Sequence, residues 1–102
     1  MVRTFLVECY VPGVDEPSVG DAGRRVRDAL AALGDGAKGV AYTGATLVPA
    51  DEVVFHAFTA PDAASVERVS RAADIPYERI VEAVSVGAEP SPNAIAGARR
   101  RP

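Results

Sequence analysis

The chain has 102 residues, which suits one domain and leaves no room for a second. Its formal net charge of −3 provides no basic footprint for nucleic acid, and no stretch reaches the roughly 20 apolar residues that span a bilayer. A single cysteine, Cys9, excludes an internal disulfide framework and any CxxC site.

Composition is ordinary for a globular protein, with 48% apolar and 25% charged residues. A domain of this size buries only about two-thirds of its unfolded surface, so a partner subunit would help it. Residues 3–11, RTFLVECYV, are rich in strand formers and stop at the turn signal Pro12-Gly13. Glu8 breaks what would otherwise be the apolar stretch of an export signal, and a cytoplasmic location is expected.

After Ser18 the apolar period lengthens. Val19, Ala22, Val26, Ala29, Leu30 and Leu33 recur at three- and four-residue steps, as on an amphipathic helix. Ser18 followed by Asp21 resembles a capping box, and Gly34 and Gly36 end the helix. Residues 39–48 predict a second strand, in which Gly44 marks a bulge or an edge. A short turn, Pro49–Glu52, leads to a third strand at 53–59, so the two form an antiparallel hairpin. Asp62 is placed to cap a second helix with Val66, Val69 and Ala73 on one side, closed by Ile75-Pro76. Residues 79–86 predict the last strand. The domain is therefore expected over 1–87, with 88–102 as a disordered tail ending in Arg99-Arg100-Arg101.

Two β-α-β passes joined by a hairpin predict an α+β, ferredoxin-like βαββαβ sandwich with a four-stranded antiparallel sheet. Right-handed crossovers put both helices on one face. Alternation assigns Phe5, Val7, Cys9 and Val11, with Val53, Phe55, Ala57, Val81 and Ala83, to the helix side. Leu6, Glu8, Tyr10, Val54, His56, Phe58, Ile80, Glu82 and Val84 then fall on the open side. That side is too apolar to stay wet. A symmetric homodimer packed sheet to sheet is expected, as in dimeric α/β barrels; the rival cover is the tail folded back over the sheet.

On this assignment Glu8, His56 and Glu82 converge on the open face as candidate catalytic residues. Tyr10, Tyr42, Phe58 and Leu6 are candidate substrate contacts. A histidine beside a carboxylate suits proton transfer near neutral pH, and the same trio could hold a divalent metal. It could equally be a set of interface ion pairs. Register decides the matter, because a slip of one residue sends His56 beneath the helices. Tyr42 either points its hydroxyl into the same pocket or caps a sheet edge. Cys9 reads as a small core residue, since nothing near it in sequence would lower its thiol pKa.

The segment VVFHAFTAPDAASVERV, followed by DIPYERIVEAV, resembles a family of small actinobacterial ferredoxin-like proteins of unknown function, one branch of which binds nickel. The likeness spans roughly residues 3–86, and it implies the fold and dimerisation. His56 stands where many members carry cysteine, so no metal residue is carried over. The architecture also resembles dimeric α/β-barrel cyclases, isomerases and cofactor-free monooxygenases, which is an analogy of fold. The function expected first is a cofactor-independent cyclase, isomerase or dehydratase of secondary metabolism acting on a small molecule. The alternatives are a nickel or other divalent-metal binder without catalysis, and a small-ligand or partner-binding module without chemistry.

Overall fold

The computed structural model describes residues 2–87. The expected tail at 88–102 lies outside the described residues. The elements run β1 (Arg3–Tyr10), α1 (Glu16–Leu33), β2 (Ala41–Val48), β3 (Val53–Ala60), α2 (Ala63–Ala72) and β4 (Arg79–Ala83). This is the βαββαβ order, α+β and ferredoxin-like.

α1 begins earlier than the capping-box reading placed it. Asp15 is the N-cap, and its carboxylate accepts hydrogen bonds from the Ser18 amide at 3.0 Å and the Ser18 hydroxyl at 2.6 Å. The missing N–H of Pro17 costs nothing in the first turn, so the helix starts before Ser18 rather than after it. The buried stripe of α1 is Gly23, Val26 and Ala29, and Gly34 closes the helix. α2 starts as expected: Asp62 accepts from the Ser65 amide at 2.8 Å. It ends where Asp74 adopts a left-handed φ of 59°. The Ile75 amide then bonds the Ser70 carbonyl at 2.9 Å, which folds Ile75 back into the core.

The sheet order is β2-β3-β1-β4, all neighbours antiparallel, with β1 between β3 and β4 as expected. β2 is an edge strand, and its register slips between Tyr42 and Gly44. Gly44 has φ 126°, a conformation that glycine adopts without strain.

Register corrects the face assignment. Phe5 pairs with Phe58, Val7 with His56, and Cys9 with Val54. Direct partners share a face. Val54, His56, Phe58 and Ala60 therefore lie beneath the helices beside Phe5, Val7 and Cys9, and all seven are buried. β4 is inverted in the same way, because Val7 pairs with Ile80 and Phe5 with Glu82. Val53, Phe55, Ala57, Val81 and Ala83, expected under the helices, occupy the open face. The assignment of β1 itself holds. β4 ends at Ala83, so Val84 lies beyond the strand and is exposed.

The physical reason lies in β3. Its two alternating sets, Val-Phe-Ala-Thr and Val-His-Phe-Ala, are almost equally apolar, so alternation alone cannot choose between them. Pairing with β1, whose polar set Thr4-Leu6-Glu8-Tyr10 is distinct, makes the choice. The core closes with Val26 and Ala29 of α1, Val66 and Val69 of α2, and Ile75. Full burial of a side chain such as Phe58 is worth about 2–3 kcal/mol.

Candidate functional site

His56 is the chain's one histidine. It sits on the helix side of β3 and is only 3% exposed. Its Nδ1 is 2.9 Å from the hydroxyl of Tyr42 on the neighbouring strand. The Tyr42 ring in turn packs on Phe58, with centroids 5.3 Å apart. The bulge at Tyr42–Gly44 and the pairing of Tyr42 with Phe58 bring that ring under α1, where Gly23 leaves space for it.

A cleft of about 210 Å³ opens beside this pair. Its floor is Cys9, Val54 and His56 from β1 and β3. One wall is the first half of α1, with Val19, Ala22 and Arg25, and the other is the Ile75-Pro76 turn. The lining is chiefly apolar, with a few polar groups, which is the usual chemistry of a small-molecule site. Nδ1 being engaged by Tyr42, Nε2 is the ring nitrogen left for a ligand.

Electrostatics keep the site neutral at its base. Burial, and then the nearby charge of Arg25, push the His56 pKa below its ordinary value. Burial raises the Tyr42 pKa. Cys9 is pushed up to about 11, first by burial and then by the charges of Glu78 and Glu8. A thiol of that kind is a wall, not a nucleophile. Arg25 reaches across from α1, its Nε donating to the Ala73 carbonyl at 3.0 Å.

The trio expected on the open face does not form. His56 is on the other side of the sheet from Glu8, whose carboxylate accepts from Arg79 Nε at 2.6 Å. Glu82 lies on the helix side but at the sheet margin, exposed and 3.3 Å from Arg3 Nη1. Tyr10 and Leu6 remain on the open face, and Tyr10 contacts Glu52 at 3.5 Å. Phe58 is a buried core residue. Only Tyr42 meets His56, under the helices. Among the described residues, no three His, Cys, Asp or Glu side chains gather as a metal site would require.

Arg25, Val14, Ile75 and Gly23 had no part in the expected site. A signal for Arg25 was present: it sits three residues after Ala22 and four before Ala29, so it flanks the buried stripe. A charge at that boundary overhangs the sheet.

No known family's profile matches the chain, and no curated protein does. A solved structure does: SCO4226 from Streptomyces coelicolor A3(2), at 23% identity and TM-score 0.66, covering 83% of this chain and 99% of that one. That similarity shows the fold. The neighbour comes from an actinobacterium. Among the described residues no helix is long and apolar enough to cross a membrane.

Proposed function

We propose that this protein binds a small, mostly apolar molecule in the cleft between α1 and the sheet, with His56 as its polar contact. The observation that carries this reading is an imidazole at the base of an apolar cleft, its Nδ1 held by Tyr42 at 2.9 Å. A buried histidine serving only the core would have little reason to line a cavity. Because His56 is the one histidine, its ring signals in NMR report the site without ambiguity. Titrating a panel of small apolar alcohols, amides and acids should shift those signals for some members, and Tyr42→Phe should alter the response. A panel that leaves His56 unmoved would reject the reading.

The same pair favours a second, catalytic reading. With the Tyr42 hydroxyl donating to Nδ1, Nε2 carries the proton and is an acid. With Nδ1–H donating to the tyrosine oxygen, Nε2 is a free base. One histidine kept neutral and oriented by a hydroxyl therefore suits the proton shifts of an isomerisation, cyclisation or dehydration, without Glu8 or Glu82. His56→Gln would abolish such turnover while leaving the fold intact. Retained turnover would discard the role.

The homodimer also stays within this proposal. After correction the open face carries Leu6, Val53, Phe55, Ala57, Val81 and Ala83 beside the Glu8–Arg79 pair. It is as apolar as before, and a second copy is the simplest cover. A nickel or other metal role has no comparable observation in its favour.

A further inference from the structure

We propose that the occupant of the cleft is a small apolar monocarboxylic acid, its carboxylate on Arg25 and its apolar body over Cys9 and Val54 toward His56. This rests on the cleft being a binding site and adds the chemical class of what binds. Among the described residues Arg25 is the only cationic side chain lining it. The nearby arginines of α1 stand elsewhere: Arg24 pairs with Asp21 at 2.7 Å, and Arg27 lies beside Gly23 near Tyr42.

Among the described residues Arg25 has no carboxylate within ion-pair distance, and its Nε is fixed by the Ala73 carbonyl. The terminal N–H groups are thus left over, on a guanidinium anchored at the cleft by its bond to Ala73. Arginine presents such groups as a planar fork that matches a carboxylate. Burial holds the His56 pKa below its ordinary value, and among the described residues the remaining lining offers no second cation, which favours one negative charge over a phosphate or a dicarboxylate. The size agrees as well. At about 210 Å³ the cleft exceeds the ~150 Å³ apolar cavity that admits benzene, so a monocyclic or short branched acid fits.

The test uses the full chain and two probes of one shape, phenylacetate and its neutral amide phenylacetamide, followed by calorimetry and the His56 ring signals. Phenylacetate should bind and move those signals, with the amide weaker by on the order of tenfold or more. Arg25→Gln should reduce the acid to the level of the amide. Arg25→Lys, which keeps the charge and loses the Nε tie, should retain a preference for the acid; should Arg25→Gln not fold, that variant and the wild-type comparison still decide. Equal binding of the two probes in wild type, with His56 responding to both, would overturn the acid assignment and leave the cleft standing. Binding of neither, with His56 unmoved, would overturn both.

Discussion

The Tyr42 hydroxyl lies 3.3 Å from where a side-chain carbon on Gly23 would sit. α1 therefore carries a glycine in its buried stripe because the tyrosine that holds His56 occupies the space. In an exposed helix interior, Gly→Ala would gain about 1 kcal/mol. Here that gain must displace a ring pinned between His56 and Phe58. We expect Gly23→Ala to be neutral or destabilising in wild type and to shift the His56 signals, yet to stabilise the Tyr42→Phe variant. A double-mutant cycle from urea melts measures the coupling; additive effects would show that Gly23 and Tyr42 do not constrain each other.

Tyr42→Phe should itself cost about 1–3 kcal/mol, because it leaves the buried Nδ1 of His56 without a partner. The urea midpoint checks this. A loss well below that range would mean that water replaces the hydroxyl.

The depressed pKa of His56 makes stability depend on pH with a definite sign. Below the ordinary histidine value of about 6.5, the unfolded chain takes up a proton that the folded chain resists. Stability is thus fully present above that value and declines as pH falls toward the lower folded-state pKa. His56→Gln should flatten the decline that begins below about pH 7, leaving the carboxylate-driven loss at lower pH. Equal slopes for wild type and variant would contradict the burial argument.

Cys9, buried and with its pKa near 11, should resist a thiol reagent at about pH 8 in the folded protein and react at once in urea. A bound cleft ligand should slow the residual reaction further, since Cys9 lines the floor.

The open face yields a test of assembly. Ala57→Glu places a charge opposite Leu6, on the open face that Phe55 and Val81 share, without touching the core, so it should shift a homodimer to monomer in sedimentation and leave the fold unchanged. A wild-type chain that sediments as a monomer at all concentrations would remove the dimer.

The elements were legible in the sequence because their signals are local: alternation in 3–11, the helical period from Val19, Asp62 ahead of α2. Topology followed from chirality and hairpin length. The site was not legible, because it depends on the parity of β3. Val54 and Val53, or Phe58 and Phe55, are equally credible core residues in isolation. Only the pairing of Val7 with His56 separates them. Thr59 on the outward set and Ala60 leading into α2 were faint clues. Tyr42 was expected either to reach the open-face pocket or to cap a sheet edge, and it meets His56 under the helices instead, whereas Arg25 was hidden among three arginines on one helix.

The two walls of the cleft come from distant parts of the chain, the opening turns of α1 and the turn after α2, already joined by the Arg25 bond to the Ala73 carbonyl 48 positions away. Any occupant that touches both would act as a clasp between the first and second halves of the molecule. Its affinity would then be felt far from the cleft, as slower hydrogen exchange in α2 and in the strand that follows it.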